Sequence, residues 1–149
     1  MEGLVADASV VVKWFVEETD HPRARDLRNA FLAGRLDLAS PSLLPYEVLN
    51  ALRYSGVMKP ATLQAAAEAL DKASIPLYPL EGSLAKEALA LAASKSITID
   101  DASYAAVARI LGRRLVTADE QLIEALGDTV DVVHIRDWTR REEEGGGGS

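Results

Sequence analysis

The sequence predicts an α/β protein with a central parallel β-sheet and helices on both of its faces. Short apolar stretches typical of strands alternate along the chain with longer stretches in which apolar residues recur at helical spacing. This alternation is typical of βαβ units, which build a parallel sheet. Two of the apolar stretches also run directly into an aspartate, Asp7 and Asp119. Because ligands bind at the carboxyl ends of strands in such sheets, we expect both carboxylates at one functional edge.

Composition limits the class of protein. Of the 149 residues, 48% are hydrophobic and 26% are charged, which predicts a folded chain rather than a disordered one. We expect a single domain over residues 1–141, followed at 142–149 by an acidic Gly/Ser tail with the composition of a flexible, engineered linker. The absence of cysteine excludes disulfides and thiolate metal sites. With neither an apolar span nor a signal peptide in the sequence, we expect a cytoplasmic protein with no membrane partner.

The net charge of −7 limits any nucleic-acid hypothesis. Proteins that bind duplexes tightly usually present a basic face, because Lys and Arg displace counterions from the phosphates. Three interpretations fit an acidic chain. It binds no nucleic acid, its acidic residues hold cations that meet the phosphate, or a basic partner protein uses the acidic surface.

The chain begins with a strand and two helices. The apolar stretch 4–7 predicts the first strand, and the apolar stripe within 10–15 predicts a helix directly after it. Pro22 suits the first turn of the next helix, because its missing N–H has no partner there. That helix continues to Leu32 and ends at Gly34.

A second strand and a third helix follow. The stretch 36–39 predicts the strand, and Ser42 is a candidate cap for the helix after it. Ser55 and Gly56 end that helix. Its inner face is expected to consist of apolar side chains, namely Leu43, Leu44, Val48, Leu49 and Leu52.

The middle of the chain predicts an edge strand between two helices. Pro60 opens an Ala-rich helix that reaches Leu70. The stretch 75–80 alternates like a strand, but its two prolines favour an edge position, because proline donates no ladder hydrogen bond. The stretch 83–93 is again helical.

The last part of the chain repeats the pattern of its beginning. An apolar stretch leads into Asp100 and Asp101, which open a helix that closes near Gly112. The stretch 115–119 is an apolar strand that ends in an aspartate, and a short helix follows it. The last strand is expected at 130–135.

Four carboxylates are candidates for a shared site: Asp7, Glu47, Asp101 and Asp119. Two like charges about 4 Å apart repel by about 4 kcal/mol at an effective dielectric constant near 20. A convergent set must therefore share protons, stay apart or hold a cation. Oxygen ligands without Cys or a His pair favour Mg²⁺ or Mn²⁺ over Zn²⁺.

Each of these residues also has a purely structural interpretation. An aspartate after a strand is often the N-cap of the next helix, and Glu47 alone fits a solvated helix face. Of the adjacent pair, one aspartate is expected to cap the helix and the other to face the cleft. Ser9 and Thr117 are either caps, the simpler interpretation for each alone, or donors that orient carboxylates.

Four stretches together resemble the signature blocks of the PIN-domain nucleases. They are Val5-Ala6-Asp7-Ala8-Ser9-Val10, Pro45-Tyr46-Glu47-Val48-Leu49-Asn50, Asp101-Ala102-Ser103-Tyr104 and Leu115-Val116-Thr117-Ala118-Asp119. More narrowly, the chain resembles a VapC-type toxin ribonuclease, from about residue 4 to residue 136. The resemblance implies a PIN-like three-layer α/β/α fold with a central parallel sheet.

The resemblance also implies the residues of the site. The family's acidic positions fall on Asp7, Glu47, Asp101 and Asp119, all of them intact. Its small polar residue and its hydroxyl fall on Ser9 and Thr117, and Asp100 is an additional acid beside Asp101.

In the implied mechanism the metal activates a water and offsets charge on the scissile phosphate of RNA. Asp7, Asp101 and Asp119 hold one Mg²⁺ or Mn²⁺, and Glu47 completes the site or helps to hold a second ion or a water. The sequence leaves open whether Asp119 or Glu47 takes the proton of that water. Nearby cations that could steer the backbone are Lys13, Arg53 and Arg109.

Similarity to VapC-type toxins further implies a homodimer, held inactive by a cognate VapB-like antitoxin whose tail enters the active-site groove. Two other classes remain as alternatives. A catalytically silent PIN-like module would bind metal or RNA without cleaving it. A receiver-type domain also gathers acids around Mg²⁺, but it needs an Asp after its third strand and a Lys after its fifth, and neither 75–80 nor 115–119 meets this requirement.

Overall fold

The computed structural model describes residues 1–141, which form five strands and seven α-helices. The strands are β1 (Glu2–Ala6), β2 (Leu36–Pro41), β3 (Leu77–Tyr78), β4 (Arg114–Thr117) and β5 (Val132–His134). The helices are α1 (Ala8–Val12), α2 (His21–Leu32), α3 (Leu44–Tyr54), α4 (Pro60–Ala73), α5 (Gly82–Lys95), α6 (Ile99–Leu111) and α7 (Glu120–Leu126). The expected tail at 142–149 lies outside the described residues.

All strand pairs are parallel, and the sheet order is β3-β2-β1-β4-β5. Helices cover the sheet in a three-layer α/β/α arrangement, which confirms the predicted fold class. The central strand β1 is apolar without alternation, and Leu4, Val5 and Ala6 are fully buried. A strand covered on both faces requires such a continuous apolar run. Within the described residues, no helix is long and apolar enough to cross a membrane.

The strand order contradicts the receiver-type alternative. Receiver domains use the doubly wound order 2-1-3-4-5, whereas this sheet places β1 between β2 and β4. The strand order reverses between β1 and β4, so the crevice at this topological switch point lies beside the carboxyl ends of these two strands. These are the two strands that the sequence predicts to end in aspartates.

The edge strand is shorter than predicted. Instead of 75–80, only Leu77 and Tyr78 pair with β2, at the predicted edge of the sheet. The ladder bonds run from Ser40 N to Pro76 O (3.1 Å) and from Ser42 N to Tyr78 O (2.9 Å). A proline has no N–H to donate, so Pro76 and Pro79 limit the strand from both sides.

Two capping predictions are wrong. Ser42 does not cap α3, because the backbone N–H of Ser42 belongs to the β2–β3 ladder and Leu43 occupies the N-cap position. Neither Asp100 nor Asp101 caps α6, because Thr98 is the N-cap and its Oγ1 accepts a hydrogen bond from Asp101 N at 3.1 Å. Both acidic side chains are thereby left out of the cap.

We expect Ser40→Ala to lower the free energy of unfolding by about 1–3 kcal/mol, because it leaves a buried carbonyl unsatisfied. The fully buried Ser40 Oγ donates to Ala6 O at 2.6 Å and so ties β2 to the end of β1. Urea unfolding monitored by circular dichroism measures the change. Ser94→Ala is the matched control, because Ser94 is exposed and its hydroxyl donates to Leu91 O over a longer distance, 3.5 Å. Equal effects of the two substitutions would contradict the prediction.

Candidate functional site

The pairing of β1 with β4 brings together the carboxyl ends of the two strands that are predicted to end in aspartates. Ala6 lies opposite Val116 in the ladder, and Asp7 N donates to Val116 O at 3.0 Å. Asp7 and Thr117 therefore lie side by side at the carboxyl ends of β1 and β4, although they are 110 positions apart in sequence. Thr117 Oγ1 donates to Asp7 Oδ2 at 2.8 Å.

Asp7 has a buried carboxylate that two hydroxyls hold in place. Besides Thr117, Ser9 Oγ donates to Asp7 Oδ2 at 2.6 Å. Ser9 Oγ in turn accepts from Ala118 N at 2.9 Å, which locks the two chain segments together. Neither hydroxyl caps a helix, because Asp7 and Asp119 occupy the N-cap positions of α1 and α7. Ser9 and Thr117 instead fix the orientation of Asp7, whose side chain makes no cap hydrogen bond.

Asp119 is an N-cap, as its structural interpretation anticipates. Its Oδ1 accepts from Gln121 N at 3.0 Å and from Leu122 N at 3.1 Å. The backbone N–H of Asp119 also donates to Thr117 Oγ1 at 3.1 Å. A carboxylate held by one oxygen at the start of a helix keeps its other oxygen for a ligand.

The two adjacent aspartates of α6 have different environments. Asp101 is half-buried and interacts electrostatically with Asp7 and Asp119, whereas Asp100 is exposed. Ser103 Oγ donates to the backbone carbonyl of Asp100 at 2.6 Å and leaves the Asp100 carboxylate unbound. Asp101 therefore interacts with Asp7 and Asp119, whereas the charge of Asp100 acts on Glu47.

Glu47 is not a solvated surface residue, because it has a buried tyrosine as a partner. Tyr104 Oη donates to Glu47 Oε1 at 2.6 Å, linking α6 to α3. Tyr104 has no solvent exposure, and both its burial and this hydrogen bond raise the pKa of its hydroxyl well above the usual range. Tyr104 therefore stays protonated and remains a donor. The sequence pattern assigns Tyr104 no role of its own, although a tyrosine within an Ala-rich helical segment is a usable signal.

The pKa values of three of the acids show that the carboxylates influence one another. Burial is the largest cause of the raised pKa of Asp7, and it outweighs the hydrogen bonds from Ser9 and Thr117. Burial also raises the pKa of Glu47 and of Asp101, and in both cases the charge of Asp7 raises it further. Negative charge is thus concentrated in a partly desolvated crevice, and no side-chain cation of residues 1–141 compensates it.

The donor chemistry of the crevice fits a hard divalent cation, since it offers carboxylate and hydroxyl oxygens and no sulfur. Residues 1–141 nevertheless contain no group of three or more acidic or imidazole side chains already arranged to hold a metal ion. Asp119 Oδ1 is engaged in its cap and Glu47 Oε1 binds Tyr104. The ligand types fit a metal, whereas the rotamers described here do not form a closed cage.

The three cations considered for steering a phosphate are engaged elsewhere. Lys13 is buried, and its Nζ donates to Thr19 O at 2.7 Å and pairs with Glu18. Arg109 pairs with Glu87 at 3.1 Å. Arg53 lies over the ring of Tyr54, 5.9 Å from its centre.

Structural comparison finds similar folds in several solved proteins. PAE2754 from Pyrobaculum aerophilum is 26% identical, and the match covers 91% of this chain and 92% of that one, with a TM-score of 0.63. A toxin-antitoxin complex from Klebsiella pneumoniae is 16% identical, with coverages of 89% and 97% and a TM-score of 0.66. VapBC-5 from Mycobacterium tuberculosis, a toxin-antitoxin system, is 19% identical, with coverages of 90% and 98% and a TM-score of 0.55.

By sequence, no protein with a curated description matches the chain. The PIN domain family does match it, over residues 4–127. This range contains all four candidate carboxylates and most of the chain, and it confirms the resemblance that the four sequence blocks indicate. The chain therefore belongs to the PIN domain family.

Proposed function

We propose that this chain is a divalent-metal-dependent endoribonuclease and the toxin of a VapBC-type toxin-antitoxin pair. The observation that carries the proposal is the Asp7 carboxylate, which is 7% exposed, held by two hydroxyls and subject to the charge of Asp119. A buried, oriented carboxylate that repels its neighbours destabilises the fold unless a cation binds there. Membership of the PIN domain family supports the assignment.

Under this proposal, Asp7, Asp101 and Asp119 hold Mg²⁺ or Mn²⁺ in the crevice beside β1 and β4. A bound ion of this kind supplies Lewis acidity, which lowers the pKa of a water and offsets charge on the scissile phosphate. Ser9 and Thr117 keep Asp7 in the binding orientation. Outer hydrogen bonds of this type hold ligands in place and tune their basicity.

Glu47 takes the proton of the attacking water in this proposal. Tyr104 occupies Glu47 Oε1 and leaves Oε2 without a protein donor among the described residues. Burial and the nearby acids raise the pKa of Glu47, which brings it closer to the pH at which a general base is most effective. Tyr104 acts as a positioning residue, because it holds the carboxylate without contacting substrate.

A VapB-like antitoxin is the proposed protein partner. The structural neighbours include a toxin-antitoxin complex from Klebsiella pneumoniae and VapBC2 from Rickettsia felis bound to a DNA fragment from their promoter. An acidic crevice is complementary to a basic antitoxin segment, which would replace the cation and exclude RNA.

A homodimer is proposed through the apolar face beside the crevice. Large apolar side chains from four elements and one loop line a shared hollow of about 250 Å³, among them Tyr46, Tyr78, Leu80, Leu84 and Ile99. Tyr46 is 72% exposed and Leu80 is 52% exposed. Contiguous exposed apolar surface of this kind marks an interaction site. Because Tyr46 precedes Glu47 and Ile99 precedes the acidic pair, the second copy would border the crevice.

Replacing the carboxylates tests the nuclease directly. We expect Asp7→Asn and Asp101→Asn each to lower kcat/KM for cleavage of a structured RNA pool by about 100-fold or more, because each removes a metal ligand. Ser9→Ala should lower it by about 10- to 100-fold, as loss of an outer hydrogen bond does. The assay contains Mg²⁺ or Mn²⁺ and antitoxin-free protein, and it is repeated with EDTA.

The control for cleavage is Asp128→Asn, an exposed aspartate outside the crevice, with circular dichroism to establish folding of every variant. Cleavage that survives in Asp7→Asn or in EDTA would overturn the proposal. Metal binding by calorimetry without any cleavage of RNA would instead favour the catalytically silent PIN-like module.

The raised pKa values predict an unusual pH dependence for the metal-free protein. In the folded protein, the pKa values of Asp7, Glu47 and Asp101 lie above their usual values, which are 3.8 for Asp and 4.5 for Glu. The folded state therefore holds more protons, and its stability falls as pH rises from those values through the raised ones. Calorimetry in EDTA should show Tm decreasing as the pH rises above the usual pKa values of these acids.

Two variants and the addition of Mg²⁺ test which groups cause this decrease of Tm with pH. Asp7→Asn should flatten it and raise Tm at neutral pH, and Mg²⁺ should raise Tm of the unsubstituted protein there. Glu120, whose pKa is lowered by its partner Arg136, contributes a slope of opposite sign, so Glu120→Gln should not flatten the decrease. A Tm that rises with pH in EDTA would contradict the assignment of these three acids.

The dimer proposal has a separate test. We expect Leu80→Glu to weaken self-association by about tenfold or more, because it buries a charge in the contact. Light scattering coupled to size exclusion over a range of concentrations measures it. Leu89→Glu is the matched control, since Leu89 is 64% exposed but does not line the hollow. A monomer at every concentration, or equal effects of the two changes, would overturn the dimer.

A further inference from the structure

Arginines line a groove on the side of the molecule, away from the carboxylates. The groove lies between α2 and the chain segment 138–140 and has a volume of about 540 Å³. Arg23, Arg35 and Arg140 contribute its charge, and Trp138 forms part of its wall. We call it the arginine groove. At a rise of about 1.5 Å per residue, the stretch of α2 and its C-terminal turn from Arg23 to Ala33 gives it a length of about 15 Å.

The groove continues into a second basic hollow at the amino ends of β1 and β4. Arg141 lines that hollow together with Arg113 and Arg114, and two carboxylates lie among them. Arg114 pairs with Asp131 at 3.2 Å and Arg141 with Glu2 at 3.8 Å, so the unpaired charge lies in the arginine groove itself. Because Arg140 and Arg141 are consecutive, the two hollows meet at the C-terminal segment. Six of the chain's eleven arginines line this path, although the protein is acidic overall.

The guanidinium groups of the arginine groove are available to a ligand. Among the described residues, neither Arg35 nor Arg140 has a carboxylate within ion-pair distance. Within residues 1–141, the one acceptor of Arg23 is the Trp138 carbonyl, at 2.6 Å, which fixes the position of the guanidinium without neutralising its charge. Elsewhere on the chain Lys13, Arg109 and Arg136 are paired with carboxylates. Positive charge is therefore left unpaired here, in an acidic protein.

The chemistry of the groove fits phosphate. A guanidinium presents a planar fork of N–H donors that matches a phosphate group. The amide of Asn29 and the hydroxyl of Thr139 add donors, and Asp26 is the one acidic residue of the lining. The length of the arginine groove fits several successive phosphates of a strand better than a single small anion.

We propose that the arginine groove binds the phosphate backbone of RNA outside the point of cleavage. This inference rests on the proposed function, in that the substrate is RNA. This proposal explains how a protein with a net charge of −7 can bind a polyanion. The carboxylate crevice repels a polyanion, and the arginine groove supplies the attraction that holds a strand on the protein. The groove thereby favours RNAs long enough to reach both sites.

Binding, rather than cleavage, tests the groove. The Kd of a fluorescent single-stranded RNA of about 20 nucleotides is measured in EDTA, so that no strand is cut, over a series of salt concentrations. We expect the double variant Arg35→Ala/Arg140→Ala to bind about tenfold more weakly at low salt. Its slope of log K against log salt should be shallower by about 1.4, since each lost phosphate contact on a single strand contributes about 0.7.

Two further variants separate charge from structure. Arg109→Ala removes a cation that is already paired with Glu87 and should leave Kd and slope unchanged. Arg35→Lys/Arg140→Lys keeps the charge and should retain most of the affinity. Thermal unfolding establishes that all variants are folded. Equal Kd values and slopes for the double alanine variant and the unsubstituted protein would overturn the proposal.

A competition arm distinguishes RNA from a free nucleotide. Displacement of the RNA by AMP or inorganic phosphate at micromolar concentration would identify a small-anion pocket and overturn the RNA assignment.

A second readout uses cleavage. The double variant should lose kcat/KM on long RNA but not on a tetranucleotide. If no RNA is cut by any variant while the binding difference persists, the proposed nuclease function fails and the groove stands.

Discussion

The parallel pairing of β1 with β4 is the constraint on which the rest of the site depends. It sets Ala6 opposite Val116, so that Asp7 and Thr117 emerge from the sheet within hydrogen-bond distance. Everything else in the crevice is arranged around that pair. Ser9 reaches back from α1 to the same oxygen of Asp7, and Thr117 Oγ1 also receives the backbone N–H of Asp119. The position of the carboxylates therefore derives from backbone pairing, which is among the more rigid features of a protein.

The energetic character of the site follows from burial. The sheet and the helices on it exclude water from Asp7, and the same packing raises the pKa of Glu47 and Asp101. These acids destabilise the metal-free fold, whereas the surrounding apolar residues stabilise it. A protein can retain such an arrangement when the repulsion is relieved by a ligand, and strained or repelling groups accordingly gather at functional sites.

Much of this site follows from the sequence because its elements are local. An apolar run that ends in an aspartate predicts a strand and a carboxylate at its end, and both Asp7 and Asp119 conform. The contacts that sequence reasoning missed join distant segments. Tyr104 reaches Glu47 across 57 positions, and Ser40 reaches the Ala6 carbonyl across 34. The wrong caps have a similar cause, because Thr98, Asp100 and Asp101 are all good capping residues and only the backbone path selects Thr98. The arginine groove was equally hidden, since its residues come from both ends of the chain.

The cap at Asp119 has a consequence for how such a protein can lose its activity during evolution. Its Oδ1 satisfies two backbone N–H groups of α7, so replacement by a residue that cannot cap a helix, such as Ala, also weakens the helix by about 1 kcal/mol. Asp7 makes no cap hydrogen bond with its side chain, and its loss relieves repulsion. Inactive descendants should therefore drift at Asp7 before Asp119. An intact Asp119 is therefore explained by helix stability alone, whereas helix capping gives no reason to keep Asp7.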